Sequence, residues 1–221
     1  MIQYLLIILL GLPPAYTDNE TWDERTERME VVATAIDNAA SKATCQDRYE
    51  NKECVRTWTG SNKQLALLLI TKGWWESKFA KNVHEGKCRE FECDAIKVGG
   101  NVIHKARTPW QMQQTGFLRR GEWEGMVGSD LRSTAIAAIV AARILGSGLK
   151  RCKNIHGAMA SYGGVKKCDW RGVDKRYNWF LRLSEKTDEA HAESADFRKK
   201  SAQEKEQHVD RVVLLSEVAR R

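Results

Sequence analysis

Apolar positions recur at helical spacing through most of the chain. Over 19–42, Trp22, Met29, Ala33, Ile36 and Ala40 lie three, four or seven residues apart behind a cluster of Asp and Glu, which predicts an amphipathic helix. Ser61 then stands as the cap of a second helix in which Leu65, Leu68, Leu69, Trp75 and Phe79 share a face, with Gly73 weakening its end. A third helix begins at Ser129. Leu131, Ala135, Ala138, Ile139, Ala142 and Leu145 form its apolar stripe, its many alanines imply close packing, and Gly146 and Gly148 are expected to end it. Shorter helices are predicted over 152–162 and 173–183. Between these, 45–60 is polar and rich in turn formers, and 81–107 keeps no period and reads as a surface loop. After residue 17 Pro109 is the only proline, so few breaks are forced on a helical chain. The predicted class is mostly α.

The first residues, MIQYLLIILLGLPPAYT, hold about ten apolar positions before two prolines, short of the roughly 20 that span a bilayer. They read as a signal peptide over 1–17, leaving through Ala15 and Thr17, although no basic residue precedes Tyr4; an amphipathic anchor or a buried first helix are the alternatives. Asn19 opens a glycosylation-type triplet, NET, a pattern too short to argue from. The remaining length suits one compact domain with extensions. The boundaries expected are an N-terminal helix with a disulfide loop over 18–60, a catalytic-sized domain over 61–183, and a charged helical tail over 184–221. In that tail Val209, Val212, Val213, Leu214 and Val218 could dock on a protein partner or sit on a solvated helix.

With 42% hydrophobic residues and 8 Trp the chain has material for a core, which excludes wholesale disorder. Its net charge of +7 is uneven. Residues 61–180 hold 21 basic and 10 acidic side chains, whereas 1–60 are acidic and 181–221 balanced. Such a basic stretch favours an anionic polymer: nucleic acid, a membrane face or a carboxylate-bearing cell wall.

Six cysteines form three local pairs, Cys45 with Cys54, Cys88 with Cys93, and Cys152 with Cys168. Fifteen connectivities are possible for six cysteines; the local one closes short loops, and disulfides imply an oxidising, exported setting, periplasmic or extracellular. Zinc competes for His84, Cys88, Cys93 and His104, but the histidines flank the cysteines at distances unlike the usual knuckle. No metal and no cofactor is therefore expected.

Glu76 closes an apolar helix at WWESKFA. Aromatic surface there would desolvate the carboxyl and help it keep a proton, as a general acid on a glycosidic oxygen must. Read alone, it is also an ordinary helix glutamate near Lys78. Three patterns in order change the weighing: ESKF at 76–79, ARTPWQMQ at 106–113 and AMASYGGV at 158–165, the last two separated by the Ala-rich helix.

In that order they resemble the lysozyme-like domain of soluble lytic transglycosylases and goose-type lysozymes, over about residues 61–183. The resemblance implies a helical lysozyme-like fold with Glu76 as the catalytic glutamate and Ser77, Gln111 and Tyr162 at the substrate. Departures are Gly163, where an Asn commonly follows the Tyr, Thr108 and Pro109, where Gly and Leu are commoner, and a longer cysteine-bearing loop over 81–107. Local readings stand beside each match: Ser77 bonded to its own backbone, Gln111 as a turn residue, Tyr162 as core. Trp74, Trp75 and Trp110 could cover the apolar face of a sugar, with Trp75 read as core. Asp94 is the one nearby candidate for a second carboxylate, which retaining and inverting schemes both use; the resemblance implies instead a single glutamate aided by the substrate's acetamido group. The expected activity is cleavage of the β-1,4 bond between N-acetylmuramic acid and N-acetylglucosamine in peptidoglycan, by a lytic transglycosylase or a lysozyme. A non-catalytic wall-binding module on the same fold and a nucleic-acid-binding protein are the competitors.

Overall fold

The computed structural model describes residues 1–15, 19–42, 46–47, 54–55, 58–89, 92–93, 95–114, 118, 121–162 and 167–188; at 42, 46–47, 54–55, 95, 96, 98 and 102–104 only the backbone is described. The chain is mostly helical, as its periodicity predicts. Helix α1 (Ile2–Gly11) buries Leu5, Leu6 and Leu9, and Arg25 donates to the carbonyl of Leu12 just beyond it at 2.9 Å. Helix α2 (Trp22–Lys42) starts with a reciprocal cap. The Thr21 hydroxyl accepts from the Glu24 amide while the Glu24 carboxylate accepts from the Thr21 amide. Met29, Val32, Ala33, Ile36, Ala39 and Ala40 on α2 are fully buried. α1 packs on α2, and both belong to one compact unit, Met1–Phe180, so the N-terminal helices join the domain that was expected to begin at residue 61. A small antiparallel pair, β1 (Gln46–Asp47) with β2 (Cys54–Val55), follows α2. The predicted Cys45–Cys54 bridge lies outside the described residues, and so does Asp94.

Helix α3 (Asn62–Ser77) is capped by Ser61, whose hydroxyl accepts from the Gln64 amide at 3.1 Å. Residues 65–73 are all buried, the mark of a helix surrounded by core rather than lying on it. Its end is strained: Lys78 and Phe79, neither a glycine, both adopt left-handed backbone at φ +56 and +51. Gly73 makes this reversal possible, because a Cβ there would stand 2.4 Å from the ring of Phe79 folding back over it. The glycine that weakens the helix in isolation is thus what lets the chain turn tightly after Glu76.

The expected surface loop over 81–107 is in fact structured. A short helix α4 (Lys81–His84) precedes the Cys88–Cys93 disulfide, and then strands β3 (Ala95–Val98) and β4 (Asn101–Lys105) pair antiparallel. Gly99 and Gly100 have φ of +59 and +82, the backbone a tight two-residue hairpin turn requires.

Helix α5 (Glu122–Gly125) leads to α6 (Leu131–Cys152), capped by Asp130 through the Ser133 amide. α6 is long and apolar enough to cross a membrane, yet Ala137, Ala138, Ala141, Ala142 and Leu145 are buried against protein, chiefly α2 and α7 (Ile155–Tyr162). It does not stop at its glycines as expected. Gly148 lies against α7, where a Cβ would meet Ala158 and Ser161 at 2.8 to 3.0 Å, so it serves close packing, and α6 ends four residues later at Cys152, capped by left-handed Lys153. The Cys152–Cys168 bridge, Cα atoms 5.4 Å apart, ties α6 to the segment after α7. Residues 174–180 are helical and close the first unit. Of the second, Leu181–Arg221, only 181–188 are described, and these are helical; the predicted tail helix beyond them lies outside the described residues.

Candidate functional site

Glu76 sits in the last turn of α3, with its side chain 18% exposed. The aromatic, desolvating setting expected of it is not what its oxygens meet. Lys72, one turn earlier and wholly buried, places Nζ 2.6 Å from Oε1, and Arg176, one hundred residues later in sequence, places Nη1 2.8 Å from the same oxygen. Oε2 has no hydrogen bond or ion pair among the described residues. Burial lowers the Lys72 ammonium below its ordinary range, opposed by Glu76 and aided by Arg176. Lys78 adds a third cation nearby: its ammonium lies 4.6 and 4.8 Å from the rings of Trp74 and Trp75, and burial, then Arg176, lowers it. The Glu76 carboxylate thus pairs with two cations, and Lys78 lies within electrostatic reach of the second of them, Arg176.

Tyr162, the last residue of α7, closes this group. Its ring lies 4.3 Å from Lys72 Nζ, and its hydroxyl donates to the carbonyl of Trp110 at 3.0 Å. Burial first, and the Glu76 charge second, push the phenol well above its usual range. Residues 107–112 form a tight turn closed by paired backbone bonds between Arg107 and Met112, with Thr108 and Gln111 both at positive φ. The Glu76 helix end, this turn and Tyr162, which follow one another in the sequence at long intervals, therefore come together in space.

Several of the predicted contact residues have partners within the protein itself. The Ser77 hydroxyl donates to the Gly73 carbonyl and accepts from the Phe79 amide, both at 3.1 Å, so it holds the strained reversal after Glu76, the local reading of that residue. Trp110 is fully buried, donates Nε1 to the Leu69 carbonyl at 2.9 Å and meets Phe79 edge-on; it is core, not a platform for a sugar. Gln111 turns its amide toward the disulfide loop, with Nε2 3.3 Å from the Glu92 carbonyl and 3.7 Å from Cys93 Sγ. Trp74 and Trp75 are half-buried under Lys78.

The helix end is also braced from α2. Arg28, buried and paired with Glu20, donates to the Phe79 carbonyl at 2.6 Å. The zinc reading of the neighbouring loop fails on chemistry, because Cys88 and Cys93 are joined and leave no thiolate. His84 is a core residue: burial, and then Arg28, pushes it down to about 3, against the pull of Asp130. Since the Thr134 hydroxyl donates to the Asp130 carbonyl, it must accept from His84 Nε2, which fixes the tautomer. A cavity of about 320 Å³ beside His84 is lined by Lys105, Arg107, Thr108 and Met126, but by none of Glu76, Gln111 and Tyr162.

Lys72, Lys78 and Arg176 were not singled out by sequence. Lys72 had a readable signal, a lone lysine four residues before Glu76 on an apolar helix; Arg176 had none. Compared with protein-family models, curated proteins and solved structures, the chain matches none of them.

Proposed function

We propose that this protein is a peptidoglycan-cleaving glycosidase acting on the β-1,4 bond between N-acetylmuramic acid and N-acetylglucosamine, with Glu76 as its one acid and base. The observation that carries this reading is the setting of Glu76: a partly exposed carboxylate at a braced helix end, anchored through Oε1 with Oε2 unpartnered among the described residues, beside Tyr162 and the 107–112 turn. The excess of cations around it suits a glycan that bears carboxylates. Export agrees with the two described disulfides.

In the reaction, Glu76 gives a proton to the bridging oxygen as the bond from that oxygen to C1 of N-acetylmuramic acid breaks, and then takes a proton from the nucleophile. If that nucleophile is the sugar's own 6-hydroxyl, O6 bonds to C1 and a 1,6-anhydro product forms without water, which is lytic transglycosylase chemistry and our preferred outcome. If it is water, the enzyme is a lysozyme. Mass spectrometry of muropeptides released from isolated sacculi distinguishes the two, since the anhydro product is lighter by one water.

One observation favours a second reading. Glu76 is also the counter-ion of a wholly buried lysine, a purely structural duty, and a wall-binding module would retain it for that reason alone. Sacculi left intact by protein that still sediments with them would establish that reading in place of the first.

A further inference from the structure

Resting on the glycosidase reading, we propose that Arg176 is a substrate-responsive positioning residue: it occupies Glu76 Oε1 in the free protein and transfers to a carboxylate of the glycan's peptide when substrate binds, releasing one of the two tethers on the Glu76 carboxyl. The two cations on Oε1 are not equivalent. Lys72 is wholly buried on the same helix, beneath the Tyr162 ring, and has nowhere to go. Arg176 comes from the helical stretch over 174–180, is 26% exposed, and its guanidinium lies 5.9 Å from the half-buried ring of Trp75. Among the described residues its one anionic partner is Glu76, and Lys78 repels it. A carboxylate arriving from solution would give Arg176 an equivalent partner without the Lys72 and Lys78 charges crowding it.

Among the described residues the groups facing Glu76 are Lys72 from its own helix, Tyr162 from α7, and Arg176, while Lys78 acts on Arg176. Only Arg176 combines exposure with a direct bond. Its departure leaves Lys72 as the one tether on Oε1 among the described residues, so binding an anionic substrate and releasing the Glu76 carboxyl become linked events.

The test uses one glycan in two forms: peptidoglycan strands with free peptide carboxylates, and the same strands after carbodiimide amidation with ammonia, which removes charge and leaves the scissile bond unchanged. Full-length wild type should cleave the charged form about tenfold faster, the worth of one charge-assisted contact. Arg176→Gln should lose that preference, cleaving the charged strands with a raised KM and the amidated strands at least as well as wild type does. Arg176→Lys should keep part of the preference. Equal losses on both forms, with no rescue by Arg176→Lys, would make Arg176 a structural residue and overturn the inference while leaving the glycosidase reading in place. Wild type inert on both forms would overturn the glycosidase reading itself.

Discussion

Replacing Glu76 by glutamine, the natural test of a general acid, should unfold part of what it is meant to probe. Lys72 is wholly buried and its ammonium is 2.6 Å from the Glu76 carboxylate. Breaking a buried ion pair by removing one partner costs about 3–5 kcal/mol, because the other charge stays desolvated. One feature reduces this: the carbonyl of the introduced amide can still accept a bond from Lys72, whereas the Tyr162 ring at 4.3 Å attracts the ammonium in both proteins. A net loss of about 2–3 kcal/mol follows for Glu76→Gln at pH 7, read from urea denaturation with the disulfides intact. Lys72→Met, close in volume, leaves Glu76 paired with Arg176 and should cost about 1 kcal/mol or less. The double variant has no buried charge to neutralise and should be more stable than Glu76→Gln alone.

The pH dependence supplies an independent sign. Burial holds Lys72 below its unfolded value near 10.5, so between its folded and unfolded values the unfolded chain binds more protons and stability rises with pH. With Glu76 gone, the opposing attraction is gone too, and the window widens downward. Glu76→Gln should therefore recover stability steadily from pH 7 toward pH 10, and the Lys72→Met variants should not. Glu76→Gln as stable as wild type at pH 7, with no recovery at higher pH, would refute the account of Lys72 as a charged, buried partner. The same set cleans up the activity assay. General acid catalysis is worth about 100- to 10,000-fold in rate, and a Lys72→Met/Glu76→Gln protein that is folded yet inactive assigns that loss to the missing proton.

Tyr162→Phe removes the donor to the Trp110 carbonyl and should cost about 1–2 kcal/mol of stability, with activity between those of wild type and Glu76→Gln. Asp94→Asn should keep most activity under a single-glutamate mechanism; a collapse comparable to that of Glu76→Gln would require two carboxylates. His84, at about 3 when folded and about 6.5 when unfolded, makes stability fall as pH drops from 6.5 to 3, by as much as about 5 kcal/mol, and His84→Gln should flatten that difference in acid titrations followed by circular dichroism. Reduction of the Cys152–Cys168 loop should lower stability by about 3 kcal/mol, while untreated denatured protein should show no maleimide-reactive thiol at Cys88, Cys93, Cys152 or Cys168 in peptide mapping.

The helices were legible because their cause is local: period, caps at Ser61 and near Asp130, and acidic first turns all lie within a few residues of one another. The glycines misled where their cause is tertiary. Gly148 marks contact with α7 and Gly73 marks the fold-back of Phe79, and neither partner is visible at the glycine itself. The hairpin over 95–105 was missed although Gly99-Gly100 between two short apolar runs is a local signal, since the surrounding charges and cysteines masked the alternation. Glu76 and Tyr162, chosen by residue type and order, do come together in space, but Trp110 and Ser77 show that order cannot say which way a side chain points. Trp110 faces Leu69, and the Ser77 hydroxyl is spent on its own backbone.

At the site the charges are informative where the aromatic residues are not. Buried rings need only apolar company, so Trp110 and Phe79 in contact report packing and nothing about a ligand. Cations gathered around a single acid are different, because Lys78 and Arg176 repel each other and both are kept from full hydration. That arrangement costs stability unless something negative arrives to complete it. The Glu76 carboxyl is also tethered twice through Oε1, which restrains how it can turn. An anionic substrate resolves both difficulties in one step, by completing the charge balance and withdrawing the cation that is able to move. A neutral glycan resolves neither.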